Sequence, residues 1–361
     1  MEKKLLLSII INNHNYEQFL KSAIDSALEQ SYARVQVIVV DDGSTDGSRE
    51  ILSSYRDRVI PVLKENAGQA SALNAGLARS DGDIVIFLDS DDVLLPDIGE
   101  QVVEAFRSQG DVAKVQYRME VIDSCGERTG LIMPAAHLPF VGGDVRSSIL
   151  AFPFDMTWMA TSGNAFSATV LNKILPIPEK DFRILADFYL AHIAPLFGPV
   201  VALDRVGAYY RVHGANRFAA ARPTLDLERI RLLLDYSGRT QVYIDKFACE
   251  LGLSAERQRE KQPRSVSLLA NRLISYKLDP RGHPFPRDNA VRLCLMGVAA
   301  CLRRSDLGPA MRLLLAGWFV SMACAPSSAA RWLAEKFVFP ETRGNFNRML
   351  AALHRVEPQR H

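Results

Sequence analysis

Two short hydrophobic runs in this chain each end in a burst of acid. Val35-Gln36-Val37-Ile38-Val39-Val40 leads into Asp41-Asp42-Gly43-Ser44-Thr45-Asp46, and Ile84-Val85-Ile86-Phe87-Leu88 leads into Asp89-Ser90-Asp91-Asp92. Both runs are rich in β-branched residues, as strands buried on both faces of a parallel sheet are. Ligands of open α/β sheets bind beyond the carboxyl ends of the strands. If the two strands are near neighbours, their carboxylates crowd one rim and repel unless a proton or a metal intervenes. The feature predicts a divalent cation at a sheet edge and an anionic ligand that the cation holds.

The surrounding pattern agrees. Residues 5–11 read as a first strand, and Phe19, Leu20, Ala23, Ile24, Ala27 and Leu28 give 17–30 helical spacing. A helix over 47–55 capped by Asp46 or Ser44, a strand over 59–63, an Ala-rich helix over 69–79 and a helix from Pro96 to about 108 follow. This alternation implies an α/β fold with a mostly parallel central sheet flanked by helices and joined by right-handed crossovers. Then come a strand over 112–122, a turn at Gly126–Gly130 and a loop-built wall over 134–165. A helix over 181–196 has Phe182, Leu185, Phe188, Tyr189 and Ile193 on its apolar side, and strands lie near 200–203 and 208–212. Beyond 224 the strand pattern stops. Leu225–Leu251 and Glu256–Lys277 read as helices, Pro280, Pro284 and Pro286 as a linker, and 288–304 with 307–324 as a helical hairpin. The expected domains are 1–224 (α/β) and 225–361 (helical).

The formal net charge of the 361 residues is +2, so bulk charge gives no argument for a nucleic-acid partner. The five cysteines form no CxxC pair and no histidine stands at zinc-ligand spacing from them; they read as small buried hydrophobes in a reducing compartment. The apolar run after Lys4 ends in Asn12-Asn13-His14-Asn15 without a small-residue cleavage site, so it reads as a strand of a cytoplasmic protein, not a signal peptide.

In order, the motifs are Asn13-His14-Asn15-Tyr16, Asp41-Asp42-Gly43-Ser44, Glu65-Asn66-Ala67-Gly68-Gln69, Asn74-Ala75-Gly76 and Asp89-Ser90-Asp91-Asp92. Thr161-Ser162-Gly163-Asn164-Ala165-Phe166, Ala186-Asp187-Phe188-Tyr189-Leu190 and Tyr210-Arg211-Val212-His213-Gly214-Ala215-Asn216 follow. This series strongly resembles the family 2 glycosyltransferases, clearly over 5–98 and more loosely to about 216. The resemblance implies the Rossmann-like GT-A fold and a nucleoside diphosphate sugar as donor, a UDP-sugar first among candidates. It implies a donor-nucleotide site at Asn13, His14, Asp42, Asn74, Asp89 and His213, with Asp42 accepting from the base. It makes Asp89 and Asp91 a DxD motif for Mg²⁺ or Mn²⁺, and Asp187 the catalytic base. The family usually has Pro at the position of Asn12 and often a stacking Tyr at that of His14. Gly163 and Asn164 are either turn residues or lining of the acceptor or donor-sugar site.

The chemistry fits these residue types. A divalent ion stabilises the leaving diphosphate as Lewis acid and template. A carboxylate takes the acceptor proton, an effect typically of about 10²–10⁴ in rate. A base opposite the leaving group implies one in-line displacement with inversion, as in inverting glycosidases with water replaced by the acceptor. The expected acceptor is a hydroxyl of a glycan or a lipid-linked glycan, and the setting that the resemblance implies is bacterial surface-polysaccharide synthesis. The rivals are a sugar-phosphate nucleotidyltransferase, which should carry a Gly-rich basic loop where this chain has Asn12-Asn13-His14-Asn15-Tyr16-Glu17, and a non-catalytic carbohydrate-binding protein on the same fold. The most apolar segment, Leu313–Ala325, lies between Arg312 and Pro326 and falls short of the roughly 20 residues of a membrane span. It reads either as part of a packed pair with a solvated face or as an interfacial helix, with Arg292, Arg303, Arg304, Arg312 and Arg331 near anionic headgroups in peripheral association with a membrane.

Overall fold

The computed structural model describes residues 4–135, 140–214, 216, 224–253 and 265–339. Two compact units emerge: described residues within 1–147, 157–216 and 243–248 make the first, and those within 148–156, 217–242 and 249–361 the second.

The first unit is a nine-stranded sheet with helices. Its strands are β1 (Leu7–Asn13), β2 (Val35–Asp42), β3 (Ile60–Lys64), β4 (Ile84–Asp89), β5 (Val93–Leu94), β6 (Lys114–Ile122), β7 (Arg128–Met133), β8 (Asn164–Ser167) and β9 (Val200–Arg211). The order is β3-β2-β1-β4-β8-β6-β9-β5, with β7 on β6. Strands β1, β2, β3, β4, β6 and β9 run one way, and β5, β7 and β8 run against them, so the sheet is mostly parallel. The two runs that end in acid are β2 and β4. They are not adjacent: both pair with β1, which lies between them. Burial on both faces explains their unbroken apolar character. Ile9, Ile11, Val37, Val39, Ile86 and Leu88 enter one core, and their alternates Ile10, Ile38, Val40 and Phe87 are fully buried too.

The helices of this unit are α1 (Glu17–Leu28), α2 (Ser48–Ser54), α3 (Gln69–Leu77), α4 (Ile98–Ser108), α5 (Arg146–Ala151), α6 (Ala168–Ile174) and α7 (Ala186–Ile193), with α5 reaching into the second unit. Several expectations need correction. Residues 128–130 belong to β7 rather than to a turn. The helix expected over 181–196 begins only at α7, because Leu185 takes a left-handed φ of 56° that helix propagation forbids, and it runs out through a 3-10 turn at Ala194–Leu196. The strands expected at 200–203 and 208–212 are one strand, β9; it bulges against Arg118, with Asp204 paired to Arg118 and Arg205 to Asp97. The wall over 134–165 contains α5 and the start of β8, while its residues 136–139 lie outside the described ones.

The second unit is helical. Its elements are α8 (Leu227–Glu250), whose residues 243–248 belong to the first unit, then α9 (Val266–Leu278), α10 (Ala290–Arg303), α11 (Pro309–Cys324) and α12 (Ser327–Val338). The helix expected over 256–277 begins at 266 among the described residues, and α12 had no counterpart in the sequence reading. Its buried positions are Ala330 and Ala334, too small to give a strong apolar period. The helices α8 to α12 share one core around Leu269, Ala270, Leu273 and Ile274 of α9. Only Cys301 of the five cysteines is buried; Cys125, Cys249 and Cys324 are exposed, against the expectation of buried hydrophobes, and all five are free thiols. No helix among the described residues is long and apolar enough to cross a membrane.

Asp155 organises the start of α9. Its carboxylate accepts the amides of Val266 and Ser267, each at 2.7 Å, and pairs with the buried Arg304. Replacing one partner of a buried pair costs about 3–5 kcal/mol, because the other charge is left uncompensated. Asp155→Ala is expected to lower unfolding stability by about that much in urea titrations; a loss within experimental error would show that Arg304 and the two amides find other partners.

Candidate active site

The register of β1 builds the rim. Asn13 lies opposite Asp41, and Asn12 opposite Asp89, so two carboxamides stand between the acidic clusters. Asn13 Nδ2 donates to Asp41 at 3.2 Å and to Ser44 Oγ at 3.1 Å; Asn12 Nδ2 donates to Asp89 Oδ1 at 3.1 Å.

The first cluster is neutralised from within. Asp41 pairs with Arg49 at 2.8 Å and accepts the Ser44 amide at 3.1 Å. Burial pushes its carboxyl up, but the hydrogen bonds from Ser44, Arg49 and Asn13 outweigh that and hold it below the usual range. Asp42 lies opposite Lys64 of β3 and accepts from its Nζ at 2.6 Å. Asp42 also accepts the amides of Ala67 and Gly68, at 3.0 and 2.7 Å. Gly68 has φ +95°, and a Cβ there would run into the backbone and side chain of Arg183, so no other residue fits. An open cavity beside this corner is lined by Gly43, Arg49, Leu63, Lys64, Glu65 and Asn66. Asp46 accepts the amides of Ser48 and Glu17, at 3.1 and 3.0 Å, and thereby satisfies the starts of α2 and α1. His14 is exposed at the end of β1 beside Asn15.

The second cluster is not neutralised. Among the described residues, neither Asp89, Asp91 nor Asp92 forms an ion pair with Lys or Arg. Asp91 accepts from His213 Nε2 at 3.0 Å and from Asn216 Nδ2 at 3.4 Å. The His213 ring is set by Phe19 and Tyr16, with centroids 4.9 and 5.6 Å away. Asp92 accepts the Arg211 amide at 3.0 Å, while its buried Oδ2 has no partner. Burial pushes Asp89 up to about 7, and the charges of Asp91 and Asp187 add to it. Burial also raises Asp92 well above its ordinary value, with Asp91 and Asp89 adding to it. Hard carboxylate oxygens with uncompensated charge suit Mg²⁺ or Mn²⁺. No three His, Cys, Asp or Glu side chains among the described residues converge as a ready-made cage. An ion there would draw its remaining ligands from water and from a bound phosphate.

Asp187 comes to this rim on α7. Gln69, the first residue of α3, joins the two: its Nε2 is 3.4 Å from Asp89 Oδ1, and its Oε1 accepts the Ala186 amide at 3.0 Å. The left-handed Leu185 turns the chain just before α7, a kind of backbone strain that clusters at functional sites. Burial pushes Asp187 up to about 6, against the amides of Phe188 and Asp187 and the charge of Lys114, which lower it. Lys114 is wholly buried over the Trp158 ring, 4.4 Å from its centroid, and its Nζ has no hydrogen-bond partner. Burial pushes it down to about 7, with Asp187 opposing.

Other expected residues are used structurally. Asn74 is spent on the backbone of Ile177, donating at 2.9 Å and accepting at 2.9 Å, and is not brought to the rim. A Cβ at Gly163 would crowd Met159 and Met119. Asn164 donates to the carbonyls of Met159 and Ala160, shaping the loop whose Ser162 Oγ accepts the Asp89 amide at 3.0 Å. Sequence reasoning missed Gln69 and Lys114 as parts of the site. Gln69 lay within a motif already noted; Lys114 alternates with Gln116, Arg118 and Glu120 against the apolar positions of β6, a pattern that reads as a solvent-facing side and carries no signal for a buried lysine.

With this geometry in place, the comparisons are direct. The sequence model of glycosyl transferase family 2 matches residues 8–149. An uncharacterized glycosyltransferase of Nostoc sp. is 33% identical over 253 residues, 69% of this chain and 77% of that protein. A Bacillus subtilis glycosyltransferase provisionally assigned to teichuronic acid biosynthesis is 40% identical over 105 residues, 28% of this chain and 42% of its own length. The chain belongs to glycosyl transferase family 2 and is a glycosyl-transferring enzyme. Among solved structures, Staphylococcus aureus TarS residues 1–349 in complex with UDP superposes with a TM-score of 0.50 at 17% identity, covering 91% of this chain and 92% of that one. That likeness shows the GT-A fold. The family assignment answers both rivals, the nucleotidyltransferase and the non-catalytic binder.

A carboxyl whose pKa is raised on folding holds its proton more tightly in the folded chain. Its contribution is full below the unfolded value and is lost as pH rises through the folded one. Asp89 at about 7 and Asp187 at about 6 therefore predict that the metal-free protein loses thermal stability as pH rises from about 4 to about 7. The paired variant Asp89→Asn, Asp187→Asn should flatten this slope in calorimetric melts. A Tm that climbs over the same interval through these two residues would contradict the site's electrostatics.

Proposed function

We propose that this enzyme is an inverting, metal-dependent glycosyltransferase that moves a sugar from a nucleoside diphosphate donor, a UDP-sugar, to a hydroxyl of a glycan or lipid-linked glycan acceptor. The observation that carries the reading is the position of Asp187. It is a half-buried carboxyl with a raised pKa, and Gln69, which reaches Asp89, accepts the amide of the preceding Ala186.

In this reading Asp187 takes the proton of the acceptor hydroxyl as its oxygen bonds to the anomeric carbon. The bond from that carbon to the phosphate oxygen breaks, and its electron pair leaves with the nucleoside diphosphate. A base near pH 6 is matched to this task, since it is ionised at neutral pH yet still basic. Asp91 and Asp89 would hold Mg²⁺ or Mn²⁺, and the ion when bound supplies charge stabilisation of the leaving diphosphate. His213 and Asn216 fix the Asp91 carboxylate. Asp42 retains acceptor capacity beyond its bonds to Lys64, Ala67 and Gly68, because a carboxylate offers about four lone-pair sites. With Asn13, exposed His14 and the cavity over Lys64 and Asn66, it forms the corner assigned to the base and ribose. Gly163 and Asn164 shape the wall assigned to the sugars. The relative provisionally assigned to teichuronic acid biosynthesis supports a setting in surface-polysaccharide assembly.

Release of nucleoside diphosphate from a panel of UDP-sugars with Mn²⁺ tests this. Asp187→Asn is expected to cut turnover by about 10²–10⁴ while the thermal shift on donor binding stays. A donor at 100 times its Kd adds about 2.7 kcal/mol of stability, so the right one stands out. Near-normal turnover by Asp187→Asn removes that residue from the mechanism. Unchanged turnover in EDTA removes the metal.

A further inference from the structure

The outward faces of the helical unit are apolar where solvated faces are ordinarily charged. Val291, Leu295 and Leu302 on α10, Leu313 and Val320 on α11 and Trp332 on α12 are between 48% and 69% exposed. The three on α10 are four and seven residues apart, which places them on one stripe, away from the buried Leu293, Gly297, Ala300 and Cys301. Leu313 and Val320 are likewise two turns apart, and no exposed position of α11 carries a charge. The two helices pack on each other in the shared core, where Gly297 leaves room for the Phe319 ring. Among the described residues the core of this unit is therefore built without the exposed stripes.

The charge on α10 and α11 has one sign, while α12 carries Glu335 besides Arg331 and Lys336. Neither α10 nor α11 contains an acidic residue. Exposed Arg292 and Arg303 flank the α10 stripe, and exposed Arg331 adjoins Trp332. The nearby acids are mostly committed: Asp288 is buried on Arg272 and His283, and Asp306 pairs with Arg304 at 2.6 Å. Exposed leucine, valine and tryptophan with arginines close in sequence, and no helix among the described residues long enough to span, describe a surface suited to a bilayer interface.

We infer that the α10–α11 face, with Trp332, docks this enzyme peripherally on an anionic lipid surface. The apolar stripe enters the boundary between headgroups and acyl chains, and the arginines meet lipid phosphates. Pairing with a second copy through the same face would set arginine margins against each other, a like-charge contact that anionic lipid replaces with attraction. The inference rests on this surface alone and is independent of the chemistry at Asp187.

Co-sedimentation of the full chain with vesicles of phosphatidylcholine, with and without phosphatidylglycerol, tests it. Binding should need phosphatidylglycerol and fall with added salt. Leu295→Glu combined with Leu313→Glu should weaken binding by about tenfold or more, with the melting curve unchanged because both side chains are exposed. Arg292→Glu with Arg303→Glu should abolish the preference for anionic vesicles. No binding to phosphatidylglycerol vesicles at low salt overturns the inference, as does binding that ignores the leucine substitutions. A stable dimer that these substitutions dissociate, without vesicle binding, gives the face to a second copy instead.

Discussion

Strand β1 is the element on which the site depends. Parallel pairing on both sides fixes the height of β2 and β4 against it, and the register leaves Asn13 beside Asp41 and Asn12 beside Asp89. With Ile9, Ile10 and Ile11 buried on both faces, a slip of one residue would exchange one isoleucine for another, so it is the bonds of Asn12 to Asp89 and of Asn13 to Asp41 and Ser44 that distinguish this register. The two acidic clusters are thus held apart by a fixed spacer. Their opposite electrostatic fates follow. One meets Arg49 and Lys64; among the described residues the other meets no lysine or arginine side chain and is held by Asn12, His213 and Asn216.

Much of this was legible in the sequence, and the reasons differ by residue. Strands β1, β2 and β4 announced themselves because burial on both faces demands continuous apolar runs. The acids at their ends were visible as a pattern, but their partners were not. That Asp42 faces Lys64 depends on β3 lying outside β2, which strand order alone decides. Leu185 looked like one more apolar position of a helix, since hydrophobic spacing carries no information about the sign of φ. β9 was read as two pieces because polar Asp204 and Arg205 interrupt its pattern, and the bulge that accommodates them is invisible without the partner strand. Lys114 was passed over for a similar reason. A lysine on the polar side of an alternating strand usually reaches water, whereas here the Trp158 and Phe166 rings lie over it and it is wholly buried.

The helical unit follows a different logic. Among the described residues its core gathers around α9, and two deeply set ionic contacts, Asp155 with Arg304 and Asp288 with Arg272 and His283, brace it, the first closing the start of that helix. Stability there is settled inside the unit, which leaves the outer sides of α10 and α11 free of structural duty. Exposed leucine, valine and tryptophan kept in such a place against the cost of wetting them indicate a function at that surface.

The loop over residues 65–68 is anchored in an unusual currency. Asp42 grips it through the amides of Ala67 and Gly68, groups that every residue except proline possesses. Glu65 and Asn66, whose side chains line the adjoining cavity, take no part in that grip. Asn66 Oδ1 accepts from Arg183 Nη2 at 2.7 Å, so its side chain adds a second anchor, while the grip on Ala67 and Gly68 is independent of any side chain in the loop. The shape of this corner therefore rests on backbone groups that side-chain replacement at Ala67 leaves in place, and Gly68, closed against Arg183, is the position that tolerates none.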